Sequence, residues 1–182
     1  SIIDRMISYD KSIFCNFEEW RGKCVNESLL CKTIREDLIK EFCIYINQAN
    51  LSFDSKIRFS ILKTIPLFES NHKITLIEYA AFYGSIKIFK FLSLKAQLEP
   101  LIWIYAIHSN SQKMIHILKE MGVKPPNHTY EKCLEEAIKC HHNELALYFL
   151  NNYFDDQYTY YFYKYFNFEL ILENDANNVC EQ

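Results

Sequence analysis

Cysteine and histidine are the residues of this chain best suited to chemistry, and their spacing argues against a metal site. None of the seven cysteines belongs to a CxxC pair. Cys140 directly precedes His141 and His142, but adjacent side chains on a helix or turn point apart. We find no second ligand pair at the i+3 or i+4 spacing of a zinc site. We therefore expect no metal and no other cofactor, and a chelator should leave the stability of the chain unchanged.

The cysteine pattern also bears on the compartment. Cys24 and Cys31 are seven residues apart, as are Cys133 and Cys140. On a helix this spacing corresponds to about 10 Å, which is too far for a disulfide. The cysteine count is odd and no signal peptide is recognisable. The sequence therefore predicts reduced thiols in an intracellular, cytoplasmic protein.

Catalysis by a nucleophile requires serine or cysteine beside a histidine base and an orienting acid. The sequence contains no GxSxG elbow, and it also lacks the motifs GxGxxG, GxxxxGK and HExxH. Seven cysteines and six histidines allow accidental pairs in any fold. We therefore expect no enzymatic activity. A pocket that holds a cysteine, a histidine and a carboxylate at hydrogen-bond distance would favour an enzyme instead.

Composition and charge argue against two classes of partner. The net charge is −3 and only four of the 20 basic residues are arginine, whereas nucleic-acid binders carry a basic footprint. No apolar run approaches the roughly 20 residues of a membrane span. Hydrophobic residues make up 49% of the chain and there are only three glycines. Composition therefore predicts one helical unit with a core. Together with the charge and the short apolar runs, it predicts a protein that does not bind nucleic acid and does not span a membrane.

The strongest pattern in the chain is an internal repeat. In the segment TLIEYAAFYGS, Ala80 and Ala81 precede Gly84, and apolar residues at helical spacing follow. Two antiparallel helices that lie close together need small facing residues, and the turn between them needs a residue that tolerates a positive φ angle. The segment therefore predicts a tight helix pair that turns at Gly84.

The same register recurs twice downstream. Aligning Ala106 with Ala80 places Asn110 at the turn, and aligning Ala137 places His141 there, at separations of 26 and 31 residues. Asparagine also tolerates positive φ. The pattern predicts three helix pairs, over about 75–95, 101–122 and 130–151.

This register resembles the ankyrin repeat, in which T-P-L-H-x-A-A-x-x-G precedes an apolar helix. Thr75, Ala80, Ala81 and Gly84 match that pattern. The segments TLIEYAAFYGS, IYAIHSNS and IKCHHNE and the string over 37–47 also resemble a large family of degenerate ankyrin proteins expanded in trichomonad parasites. The resemblance covers about residues 35–152 and implies a fold and a general binding role only. Glu78 stands where the pattern has histidine, which should remove the hydrogen bond between that histidine and threonine.

The resemblance implies an all-α solenoid of stacked antiparallel helix pairs with helical caps at both ends. Each pair would complete its core against its neighbours. Residues 1–74 form an N-terminal helical region in which a degenerate repeat has a helix over about 37–46. Residues 75–152 hold the three repeats, and residues 153–182 form an aromatic, acidic cap and tail.

The C-terminal aromatic segment, residues 153–168, contains ten aromatic residues and one base, Lys164. It lacks the basic groove of a nucleic-acid stacking platform. Two interpretations stay open: a terminal helix that packs its rings on the last repeat, or an exposed surface for a partner.

The expected function is to bind another protein, because stacked repeats present equivalent positions side by side on a concave face. The alternatives are a structural spacer or cap within a longer ankyrin array and, less favoured, an enzyme on a helical scaffold. Aromatic residues supply much interface energy, although irregular repeats could instead bury these rings. The candidate partner-binding residues are Tyr79, Phe82, Tyr83, Tyr105, His108, Ser109, Glu136, Lys139 and Cys140.

Overall fold

The computed structural model describes residues 29–57, 74–154, 158 and 160–172. These residues form an all-α structure, which confirms the all-α part of the predicted fold class; their one β feature is an isolated antiparallel bridge between Lys56 and Thr75. The predictions for residues 1–28, 58–73 and 173–182 lie outside the described residues.

Nine α-helices lie wholly within the described part of the chain, and most of them are arranged as consecutive pairs. Four complete pairs are followed by a short helix and a further helical segment at residues 168–172. The helices are α1 Leu29–Arg35, α2 Ile39–Gln48, α3 Leu76–Tyr83, α4 Ile86–Ser93, α5 Ile102–His108, α6 Gln112–Glu120, α7 Glu131–Lys139, α8 Asn143–Tyr153 and α9 Tyr160–Lys164.

Five turns within this array share one backbone geometry. The φ angle is +52° at Asp37, +68° at Gly84, +49° at Asn110, +57° at His141 and +52° at Phe166. The N–H of each turn residue donates to the carbonyl three residues earlier, as expected where a left-handed residue ends a helix. Asp37 was expected inside a helix over 37–46, but it ends α1 instead, so α2 begins two residues later than predicted.

The first helices of the pairs pack on one another in sequence order. Contacts join α1 to α3, α3 to α5, α5 to α7 and α7 to α9, and α2 also contacts α4. Close approach depends on small side chains: Ala80, Ala81, Ala106 and Ala137 are all fully buried. A Cβ atom on Gly84 would lie 3.4 Å from the Cβ of Ser109. That separation is an ordinary van der Waals contact, so the requirement that Gly84 meets is conformational and comes from its positive φ angle.

Polar side chains next to the turns link successive pairs. The Ser85 hydroxyl donates to the backbone carbonyl of Ile34 in the pair before it. At the equivalent position, the Asn167 amide donates to the Ile138 carbonyl at 3.2 Å. Ser85 and Asn167 are both buried, and these bonds satisfy polar groups that would otherwise be costly to bury.

Asp37 caps a helix of the following pair. Its carboxylate accepts hydrogen bonds from the backbone N–H groups of Lys87 at 3.1 Å and Ile88 at 3.0 Å, in the first turn of α4. Ser85, the residue before α4, makes no side-chain cap. A carboxylate is favoured at a helix N-terminus because it accepts from unpaired N–H groups and opposes the helix dipole.

Thr75 and Glu78 form a capping box at the start of α3. The Thr75 hydroxyl and backbone N–H both donate to the Glu78 carboxylate at 2.8 Å, and the Glu78 N–H donates back to the hydroxyl at 3.4 Å. Glu78 therefore makes a link of its own to Thr75, in place of the histidine bond that its presence removes. Glutamate at this position reaches back to the same residue as an acceptor.

No helix within the described ranges is both long enough and apolar enough to cross a membrane.

Candidate functional site

Two of the proposed binding residues belong to the core. Tyr79 is 0% exposed and Tyr105 is 1% exposed, so the expected exposure of both rings is wrong. An Arg35 N–H donates to the Tyr79 hydroxyl at 3.2 Å, because α1 packs directly on α3. Burial raises the pKa of the Tyr79 hydroxyl well above its usual range and raises the pKa of Tyr105 to about 12. A partner cannot reach rings that the neighbouring helices already cover.

The other seven candidates remain accessible and are referred to as the first-helix row. Six are half-buried and Lys139 is exposed. The Phe82 ring stacks on the His108 ring with 5.2 Å between their centroids, and Arg35 lies 5.9 Å from the centre of the Tyr83 ring. The row therefore continues across neighbouring pairs. Its members are Phe82, Tyr83, His108, Ser109, Glu136, Lys139 and Cys140.

Three titratable side chains converge at one point of the first-helix row. His108 Nε2 lies 2.9 Å from Glu136 Oε1. Cys140 Sγ lies 3.7 Å from His108 Nδ1, 3.9 Å from His108 Nε2 and 3.9 Å from Glu136 Oε1. His108 ends α5, whereas the other two residues come from the last turn and the end of α7. We refer to this group as the His–Glu–Cys cluster.

The environment of the His–Glu–Cys cluster shifts three groups. The hydrogen bond from His108 lowers the pKa of the Glu136 carboxyl, and Lys139 lowers it further. Burial and the Glu136 charge raise the pKa of the Cys140 thiol to about 11. Burial and the neighbouring His108 lower the pKa of His142. At neutral pH the cluster thus combines a carboxylate with an uncharged thiol.

Such an arrangement has two chemical uses. A histidine between a thiol and a carboxylate is the layout of a cysteine nucleophile. The same three donors, within 4.8 Å of one another, are also ligands that zinc prefers. The sequence shows no second ligand pair of zinc-site spacing, but Glu136 precedes Cys140 by four residues and therefore lies on the same helix face.

One half of the cluster could therefore have been found from the sequence, namely the glutamate and the cysteine at helical spacing. The other half could not. His108 lies 28 residues before Glu136, and only the packing of α5 on α7 brings them together. His141, which the sequence places next to Cys140, is the exposed turn residue, with a φ of +57°.

The C-terminal aromatic segment is divided between burial and exposure. Tyr161 and Phe162 are buried against the preceding pair, whereas Tyr160, Tyr163, Phe166 and Phe168 are exposed. Polar contacts help to hold α9, because Glu135 on α7 accepts hydrogen bonds from Lys164 at 2.8 Å and from the Tyr165 hydroxyl at 2.5 Å. The interpretation as a packed terminal helix therefore describes the buried face, whereas a partner for the exposed face stays a prediction; residues 155–157 and 159 lie outside the description.

Comparisons with known proteins identify no relative: no family model, no curated protein and no solved structure matches the chain. The resemblance to ankyrin repeats consequently stays a prediction from the sequence, and function must be argued from the geometry of the chain itself.

Proposed function

We propose that this chain is an ankyrin-type solenoid that binds another protein, without catalysis, through the first-helix row. The observation that carries the proposal is the continuity of accessible side chains across three pairs. Phe82 on α3 stacks on His108 of α5, and His108 contacts Glu136 on α7. A surface assembled from equivalent positions of successive pairs is the kind of surface that repeat proteins use for binding.

The repeated backbone geometry supports the solenoid part of this proposal. Five turns use a left-handed residue, and the first helices pack in sequence order. Each pair alone buries too little apolar surface to be stable, so neighbours must complete its core. A partner would consequently meet a preformed surface and would not have to order it.

Phe82 and Tyr83 are the best anchors for a partner in this row. Both are half-buried, and their rings contact each other with centroids 5.0 Å apart. A ring already held by its neighbours loses little conformational freedom when a partner covers its remaining face. Aromatic anchors of this kind are enriched among the residues that dominate interface energy.

Capture experiments with single variants test this proposal. The chain, immobilised and exposed to native cell extract, should retain a partner that Tyr83→Ala and Phe82→Ala lose. Truncation of an interface anchor costs about 2 kcal/mol or more, which weakens binding more than tenfold. Tyr148→Ala is the matched control, because Tyr148 is a half-buried ring on the second helix of its pair.

Thermal melting of each variant separates binding from folding. The proposal requires that capture is lost while the melting temperature is kept. If Phe82→Ala and Tyr83→Ala both unfold the chain, these rings act as core. If both keep capture, or if Tyr148→Ala loses it equally, the partner does not bind at the first-helix row.

A second candidate function, catalysis by Cys140, has one observation in its favour: the cysteine, the histidine and the carboxylate lie at contact distance. Against it stands the pKa of the thiol, which burial and Glu136 raise to about 11, whereas cysteine nucleophiles need a lowered pKa. Alkylation by iodoacetamide at pH 7 distinguishes the two functions. A catalytic Cys140 would react faster than an ordinary exposed thiol, and our proposal expects it to react more slowly.

A further inference from the structure

The His–Glu–Cys cluster connects two neighbouring helix pairs through side chains, one from the pair of α5 and two from the pair of α7. His108 ends α5, and Glu136 and Cys140 occupy one face of the last turn of α7. Residues four apart on a helix lie next to each other, so α7 presents a carboxylate and a thiol together toward one imidazole. The cluster therefore holds three different donor atoms from two elements around one small space.

The distances among these donors lie within about half an ångström of those around a tetrahedral metal ion. Zinc bonds of about 2.0–2.3 Å place neighbouring ligand atoms about 3.3–3.8 Å apart. Here the sulfur lies 3.7 Å from His108 Nδ1, 3.9 Å from His108 Nε2 and 3.9 Å from the Glu136 oxygen. His108 Nε2 and the same Glu136 oxygen, 2.9 Å apart, would have to separate by about half an ångström. Side-chain rotation alone can supply such a shift.

The donor types select among metals. A thiolate and an imidazole are ligands for zinc and similar transition metals, whereas calcium and magnesium take oxygen ligands. All three residues are half-buried, so a water molecule or another small ligand can reach a fourth coordination position. A site with three protein ligands and one open position is a recognised zinc geometry.

Neighbouring side chains already orient the donors. The Phe82 ring stacks on one side of the His108 ring, and the Lys139 ammonium contacts the Glu136 carboxylate at 3.3 Å. Partners that fix the orientation of a ligand typically raise metal affinity 10–100-fold, because less freedom is lost on binding.

We propose that His108, Glu136 and Cys140 form a binding site for a divalent transition-metal ion of the zinc type, which clamps α5 to α7. This site is additional to the partner-binding function proposed above. It also departs from the expectation, drawn from sequence spacing alone, that the chain binds no metal.

Titration of the reduced full chain with Co²⁺ tests the site, since cobalt reports its own coordination by absorption. Binding at the cluster should give one cobalt per chain, with a thiolate-to-cobalt charge-transfer band and visible bands of tetrahedral intensity. Zn²⁺ should abolish both signals, and Mg²⁺ should not. Absence of the charge-transfer band would overturn the proposal, as would equal displacement by magnesium.

Matched variants locate the ion among the seven cysteines and six histidines of the chain. Cys140→Ser should remove the charge-transfer band, and His108→Ala should weaken cobalt binding by more than about tenfold. The controls Cys43→Ser and His116→Gln alter a half-buried cysteine on α2 and an exposed histidine on α6, and both should bind cobalt as the parent does. A band that survives Cys140→Ser, or that the controls also lose, places the metal elsewhere and refutes the site.

The melting temperature gives a second readout that needs no partner protein. Zn²⁺ should raise the melting temperature of the parent chain, because an ion that binds only the folded state stabilises it. The rise should vanish in Cys140→Ser and in the milder variant Glu136→Gln, provided that far-UV circular dichroism shows both to be folded. An equal rise in the parent and in either folded variant contradicts the proposal, whatever capture experiments show about partners.

Discussion

The internal helix pairs, formed by α1 to α8, and the C-terminal pair, formed by α9 and the helical segment at 168–172, share one turn geometry. They differ in how deeply equivalent residues are buried. Three residues before the turn, Ile34, Ala81, Ile107 and Ile138 are all fully buried, whereas Tyr163 at the equivalent position is 56% exposed. Burial at this position therefore does not come from the pair itself. We expect it to come from the pair that follows, as the proposed repeat array would require.

The two regions also differ in the side chains at their helix contacts, although polar contacts such as Ser85 with the Ile34 carbonyl and His108 with Glu136 link internal pairs as well. The internal first helices approach through alanines such as Ala80 and Ala106, both fully buried. The C-terminal pair is attached by apolar rings and by polar contacts, among them Glu135 with Lys164 and Asn167 with the Ile138 carbonyl. Apolar burial is insensitive to pH, whereas a carboxylate contact is not.

The largest loss of stability is expected at the buried position three residues before an internal turn, where we expect the following pair to cover the side chain. Ile107→Ala should lower the free energy of unfolding by about 2–5 kcal/mol, because it leaves a cavity between packed helices. Tyr163→Ala, at the equivalent position, should change it by no more than about 0.5 kcal/mol. Urea denaturation measures both values. Similar losses in the two variants would show that the last pair is as well packed as the internal ones.

A smaller loss is expected from crowding an internal helix contact. Ala80 is fully buried between α3 and its neighbours, so Ala80→Leu should overpack the contact and cost roughly 1–3 kcal/mol. Ala49 is exposed at the end of α2, and Ala49→Leu serves as the control that should leave the melting temperature nearly unchanged. If Ala80→Leu also melts like the parent chain, the helices do not approach closely at this alanine.

The cap that Asp37 provides for α4 should contribute a smaller amount to the free energy of unfolding than either of these core contacts. Asp37→Gly keeps the positive φ angle accessible but removes the carboxylate, and it should cost about 1 kcal/mol. Asn110→Gly changes an equivalent turn whose side chain is exposed, and it should cost at most about 0.5 kcal/mol. Chemical denaturation that finds equal effects for the two glycine variants would argue that the Asp37 carboxylate contributes nothing through α4.

The smallest effect concerns the acid sensitivity of the C-terminal pair. Lys164 and Tyr165 lower the pKa of Glu135 by hydrogen bonding to its carboxylate. A pKa lower in the folded state stabilises above the unfolded value, about 4.3 for glutamate, and this contribution is lost as the pH falls through the folded value. Because the contact is partly exposed, it should amount to less than about 1 kcal/mol.

Hydrogen exchange of the α9 amides measures this contribution. Protection in α9 should fall on going from pH 6 to pH 3 after correction for the intrinsic exchange rate. Glu135→Gln should show reduced protection already at pH 6, with little further change. Glu120→Gln, which alters an exposed glutamate at the end of α6, is the control. Equal protection in the parent and Glu135→Gln at pH 6 would show that the Glu135 carboxylate does not stabilise α9.

The register of small residues and turn residues was readable in the sequence because its causes are local. Gly84 and Asn110 tolerate positive φ by their own chemistry, and alanine at Ala80, Ala106 and Ala137 is the direct requirement of close helices. The turn at Phe166 was not readable, since nothing about a phenylalanine favours a φ of +52°. Its position is imposed by the helices on either side.

Apolar spacing, scarce glycine and the recurrent alanines by themselves determined that this chain is helical and that it turns at Gly84, Asn110 and His141. Only the tertiary structure decided which side chains are accessible. Exposure depends on residues distant in sequence, and so α1 covers Tyr79 although the pattern placed that ring on the surface. The His–Glu–Cys cluster has the same origin: His108 and Glu136 become neighbours only because α5 packs on α7.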